Sequence, residues 1–137
     1  VKYFLTIFGI VFLFMSCKHD HKHHNHGEVS VMPALYDTVM YIHDAVMPET
    51  NTIHKIRKAL KETTTEGDRS PILDQIKYLD EAEDAMMDWM AEFTVPEDKT
   101  QQNDYLQSEK AKIQNVSDLM YDAIKKGQTM LDSLQQN

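Results

Sequence analysis

Leu35, Val39, Ile42, Val46, Glu49, Ile53, Ile56 and Leu60 recur at alternating steps of four and three residues. Such spacing keeps side chains on one face of a helix, whereas on a strand it would throw them to both faces. The run therefore specifies a helix whose apolar seam has to be covered. Two more seams follow: Ile72, Ile76, Leu79, Glu83, Met86, Met90 and Phe93, then Leu106, Ile113, Val116, Met120, Ala123, Met130 and Leu134. Strand alternation and glycine-rich loops are lacking. Three helical seams joined by short connections predict an all-α fold, an antiparallel three-helix bundle over residues 31–137.

Punctuation residues set the expected boundaries. The first helix runs from about Val31 to Thr64, with Pro48 inside it. Proline lacks the N–H of a helical residue and crowds the preceding turn, so a kink is expected there, or a break into two helices. Gly67 ends that segment. Ser70 is placed to cap the second helix, with Pro71 at its first position, and the helix extends to about Thr94. Pro96 opens a polar connection, VPEDKTQQN, and the third helix runs from about Asn103 to Gln135. Glu49, Glu83 and Glu109 fall on seam positions, where they pair with lysines or sit at the rim. The Glu-x-x-His signature of di-iron bundles is missing, so they do not spell a carboxylate cage.

The N-terminus reads differently. VKYFLTIFGIVFLFMSC has one lysine, Lys2, then thirteen apolar-rich residues from Tyr3 to Met15. About 20 are needed to span a bilayer, so the run suits the apolar core of a secretory signal. Val1 reads as a GTG start codon translated literally, a bacterial trait. The one cysteine, Cys17, follows the small Ser16 where cleavage is expected, and FLFMSC resembles the lipobox of bacterial lipoproteins. Phe14 stands where that pattern usually has leucine, with Leu13 one residue back. The resemblance implies a signal peptide over 1–16 and acylation of Cys17. An ordinary secreted protein or a retained signal anchor is the alternative. A lone cysteine forms no internal disulfide. Each buried lipid methylene adds about 0.8 kcal/mol of membrane affinity, so two or more chains anchor without help from the rest of the protein.

Residues 17–30 form a lipidated cysteine and histidine-rich tether. Five of the seven histidines lie here: His19, His21, His23, His24 and His26. Such a tract chelates Zn²⁺, Cu²⁺ or Ni²⁺ without fixed geometry, or serves as a polar spacer. Loss of residues 1–16, whose only charge is Lys2, takes the net charge from −8 to −9. An acidic surface repels phosphate backbones, which argues against a nucleic-acid partner.

Within the bundle, two stretches carry chemistry-bearing side chains. In MYIHDAVMP, Met40, His43 and Met47 are three and four residues apart and share a stripe beside the seam. In AMMDWM, Met86 and Met90 are one turn apart, flanked by Met87 and Trp89. An antiparallel turn centred on Gly67 levels Met47 with Met87, and His43 with Ala91 beside Met90. Tyr105 and Glu109 fall near the same layer. Methionines at helical spacing usually fill core gaps, and this is the leading reading, together with a partner-docking face. The alternative is a Cu(I) site formed by His43, Met47, Met87 and Met90 and capped by Trp89, because thioether and imidazole suit that soft ion. Haem is a third reading, non-covalent because C-x-x-C-H is missing. His54, in HKIRKALK, reads as part of a solvated basic face, or one that rests on anionic head groups. Catalytic motifs such as G-x-S-x-G, H-E-x-x-H and the P-loop do not occur, so no enzymatic activity is expected.

HDAVMP, MMDWM and the later YLQSEKAKIQNV, together with the lipobox, resemble a family of small Bacteroidetes lipoproteins often labelled "viral A-type inclusion protein". The resemblance covers most of the chain after Cys17. It implies location and helical architecture and carries no activity. Surface-exported lipoproteins of that phylum resemble one another in an acidic run after the cysteine; KHD offers one aspartate, which favours the periplasmic face of the outer membrane. The expectation is a lipid-anchored envelope protein whose bundle acts as an interaction or structural module, with a partner in the envelope. A periplasmic metal-binding lipoprotein is the alternative.

Overall fold

A computed structural model describes residues 31–63 and 68–136. The expected signal peptide, Cys17 and the tether histidines lie outside the described residues, as does Gly67. The chain is all-helical, with no strand among the described residues. Helix α1 spans Val31–Val46, a 3-10 turn spans Met47–Glu49, α2 spans Thr50–Glu62, α3 Ser70–Glu92 and α4 Lys99–Gln135. None of these helices is long and apolar enough to cross a membrane.

Pro48 explains the join between α1 and α2. It has no N–H to return to the preceding turn, and the chain tightens there into a single 3-10 turn. Right-handed dihedrals continue through the join, and the Thr50 hydroxyl donates to the Met47 carbonyl (2.9 Å). The outcome is the break into two helices, α1 and α2, joined directly by one 3-10 turn.

The connection between α3 and α4 is fixed by local chemistry. Asp98 is the N-cap of α4: its carboxylate accepts from the Thr100 N–H (2.9 Å) and hydroxyl (2.8 Å), and from Gln101 Nε2 (3.2 Å). The Thr100 contacts hold the Asp98 carboxyl below its usual range. The helix thus starts at Lys99, four residues before the expected Asn103. Similarly, Ser70 is a helical residue rather than the cap; its N–H donates to Asp68 Oδ1 (2.8 Å).

Helix α4, about 55 Å long at 1.5 Å per residue, is the spine against which the other three pack. Gln75 Nε2 donates to the Ala123 carbonyl (3.0 Å), the Tyr78 hydroxyl to Asp122 (2.7 Å), and Trp89 Nε1 to Glu109 (2.9 Å). As α3 advances its partners on α4 retreat, so the two are antiparallel. The core is built from Val39, Val46, Ile53, Leu60, Leu79, Met86, Ile113 and Met120, with further buried aliphatics around them. Fully burying each such side chain contributes about 1.5–3 kcal/mol.

The seams on α3 and α4 differ from a strict heptad. Ala82 and Trp89 occupy the buried line of α3, while Glu83, Met90 and Phe93 move to its flank. On α4, Ser117, Gly127 and Leu131 are buried, while Val116, Met130 and Leu134 are only partly so. On α4 the buried residues fall later than the heptad seam, the direction in which a straight helix of 3.6 residues per turn departs from a 3.5 repeat; on α3 they fall earlier, so packing against the neighbouring helices sets the face there. Gly127 marks a close approach of α4 to α2: a Cβ there would lie 2.6 Å from Ile56 Cγ2.

Candidate functional site

The α1 seam that faces α4 leaves a second stripe, Tyr36, Met40, His43 and Met47, of which Tyr36 and His43 touch α3 and the residue that ends it. Backbone packing of α1 is chiefly on α4, so side chains do most of the work of joining α1 to α3. His43 is the centre of that junction. Its Nε2 lies 3.2 Å from the Met90 sulfur, and its Nδ1 lies 2.8 Å from Asp44 Oδ1. Its ring also tilts against Trp89, with centroids 5.7 Å apart. His43 thus meets the residue beside its expected level, Ala91.

Around it runs a chain of rings. Trp89 stacks on Phe93 (4.8 Å), and Phe93 contacts Tyr36 (6.2 Å) and Tyr105 (6.0 Å). Tyr105 also ties the end of α3 down, since its hydroxyl accepts from the Thr94 N–H (2.7 Å). Trp89 is 6% exposed, so it is a core residue of this layer rather than a lid over it. Its indole N–H is satisfied by Glu109, which is itself buried at 3% exposure. Lys112 Nζ holds the other oxygen of Glu109 (2.8 Å), and this carboxylate raises the Lys112 pKa.

The four expected copper ligands separate. His43 and Met90 touch. Met47 is part-buried against the core and shares with His43, Asp44, Pro48, Thr50 and Asn51 an open recess of about 580 Å³. Met87 points outward at 38% exposure, because Met86 takes the buried place one residue earlier. Cys17, His19, His21, His23, His24 and His26 lie outside the described residues. Among the described residues, no three His, Cys, Asp or Glu side chains gather as a metal-holding group.

The basic stretch on α2 is not simply a solvated face. His54 Nε2 lies 2.5 Å from Glu83 Oε1, and Arg57 Nη1 donates to Glu83 Oε2 (2.8 Å) and to Asp80. Partial burial alone would lower the Arg57 pKa; the hydrogen bonds it donates to Asp80 and Glu83, with their negative charges, outweigh that and leave it raised. Glu83 therefore has its cationic partner, though an arginine rather than a lysine, and Lys55, Lys58 and Lys61 remain exposed. Asp44 was legible as the second residue of the HD pair, and Asp98 as the start of D-x-x-Q ahead of a helix. The Arg57 network had no such local signal, since its members are distant in sequence.

Compared with known protein families, curated proteins and solved structures, the chain matches none.

Proposed function

We propose that this protein is a lipid-anchored envelope protein whose helical domain docks a basic amphipathic helix of another envelope protein. The lipobox-like FLFMSC supports the anchor, and the motifs HDAVMP and MMDWM support the same location. The observation that carries the docking role is the composition of the α1–α3 junction. It is a strip of thioethers and rings, Tyr36, Met40, Met47, Met87, Met90 and Phe93, of which Tyr36 and Met87 are exposed and the rest part-buried. Thioether surfaces repack around a partner at little strain. Asp37, Asp44 and Asp84, all exposed, lie one step outward on the two helices. An apolar strip rimmed by carboxylates complements a helix with an apolar stripe and basic flanks.

A photo-crosslinking residue placed at position 87 of the membrane-bound chain tests this. The expected result is one discrete adduct whose partner peptide maps to a basic amphipathic helix, absent when the residue is placed at Lys110. Cys17→Ala should release the chain from membranes and abolish the adduct. Equal labelling from positions 87 and 110, or a Cys17→Ala chain still held by membranes, overturns the proposal.

A further inference from the structure

The contacts of His43 place an unusual demand on its protons. A neutral imidazole carries one N–H. Asp44 Oδ1, a carboxylate oxygen, only accepts, so at 2.8 Å it draws that proton to Nδ1. Nε2 then presents a lone pair to the Met90 sulfur at 3.2 Å, an atom with lone pairs of its own. Two acceptors this close are complementary to a cation that binds both.

We infer that His43 Nε2 and Met90 Sδ, with Met47 as third ligand, form a Cu(I) site at the α1–α3 junction. Three independent features agree. The ligand set is soft and intermediate, which selects Cu(I) over Mg²⁺ or Ca²⁺. A metal-bound histidine characteristically donates its other ring N–H to a carboxylate, which fixes the tautomer and raises ligand basicity; Asp44 holds that position. Met47 stands one turn from His43 on the same stripe and lines the same recess, which gives an ion a path from solvent. The 3-10 turn at Pro48 begins at Met47, so the third donor sits where the helix is interrupted. Met87, 38% exposed, is not one of the ligands. The rival occupant of the gap is a proton on Nε2, which makes an imidazolium and satisfies both contacts without metal. This inference does not depend on the lipid anchor or on the docking role.

The test is an anaerobic Cu(I) titration of the full chain in detergent, competed against a chromophoric Cu(I) chelator. Cys17→Ser and alanine at the five tether histidines remove the N-terminal donors, and the remaining His54 is engaged by Glu83. The site predicts one equivalent of Cu(I), quenching of the sole tryptophan, Trp89, and an X-ray absorption signature of mixed nitrogen and sulfur ligation. Met90→Leu, close to isosteric, should weaken Cu(I) binding at least tenfold with the helical circular dichroism unchanged; His43→Ala should do the same. Met130→Leu, at the other end of the bundle, should leave binding as it was. A chain that takes up no Cu(I) against the chelator, or whose affinity survives both Met90→Leu and His43→Ala, overturns the site.

Discussion

Trp89 Nε1 donates to Glu109 Oε2 at 2.9 Å, and both residues are buried between α3 and α4. A buried carboxylate is tolerated here because each oxygen has a donor: the indole on one side and Lys112 on the other. The relationship joins the aromatic layer to the spine and keeps Trp89 in one rotamer beside His43.

Glu109→Ala should therefore be costly, because it strands a buried indole N–H. Leaving such a donor unmade costs about 1–3 kcal/mol. Glu109→Gln keeps an acceptor for the indole and loses only the charge pair with the solvent-exposed Lys112, so it should cost less than Glu109→Ala. Urea unfolding of the two variants checks the order. Equal losses would mean that the indole contact contributes nothing.

Gly127→Ala sets helix propensity against packing. Alanine gains about 1 kcal/mol over glycine inside an exposed helix. Here the added Cβ would meet Ile56 Cγ2 at 2.6 Å, and that methyl is fixed by β-branching. Overpacking of about 1–3 kcal/mol should prevail, so the variant is destabilised. In an Ile56→Ala background the same substitution should become neutral or stabilising. A denaturant midpoint that rises for Gly127→Ala alone would contradict the close approach of α2 and α4.

Arg57 joins α2 to α3 through two carboxylates of one helix face. Arg57→Ala leaves Asp80 and Glu83 without their shared guanidinium, with His54 the remaining partner of Glu83. The expected loss is roughly 1–3 kcal/mol, between the limits for exposed and buried pairs. It should shrink in 1 M salt, where charges are screened within about 3 Å. A loss unchanged by salt points instead to the packing of the arginine stem.

Acid should act on the start of α4. The Asp98 carboxyl is held low by Thr100 and Gln101, so the folded state binds its proton less readily than the unfolded chain does. The stabilisation is fully present above the unfolded value, about 3.9, and is lost as pH falls through the lower folded value. The difference in thermal midpoint between the natural chain and Asp98→Ala should thus be steady from pH 7 to 5 and narrow below about pH 4. A difference that does not change with pH would show that charge is irrelevant to the cap.

Much of the architecture is written locally. The 4-3 spacing from Leu35 to Leu60, Pro48, and the polar stretch after Pro96 suffice to expect helices in these places and an interruption in the first. The Asp98 cap was equally local, because an N-cap carboxylate bonds to residues two and three ahead of it; its signal lay in DKTQ. Ala82 in place of Glu83, and Leu131 in place of Met130, were not local. Leu131 follows the direction in which a straight helix of 3.6 residues per turn departs from a 3.5 repeat, whereas Ala82 is shifted the opposite way, so the neighbouring helices and not the period decide it.

The candidate site divides in the same way. Sequence alone put Met40, His43 and Met47 on one stripe, and counting from a turn near Gly67 brought His43 to the level of Met90. It put Met90 on the seam with Met87 beside it, but could not tell which of the two would meet His43. Nor could it foresee that Trp89 would be drawn inward by Glu109, or that Arg57 would find Asp80 and Glu83. Periodicity along one helix is fixed by backbone geometry, and so it can be read from the order of residues. The rotation of each helix about its own axis is fixed by what packs against it, and only the assembled tertiary structure decides that.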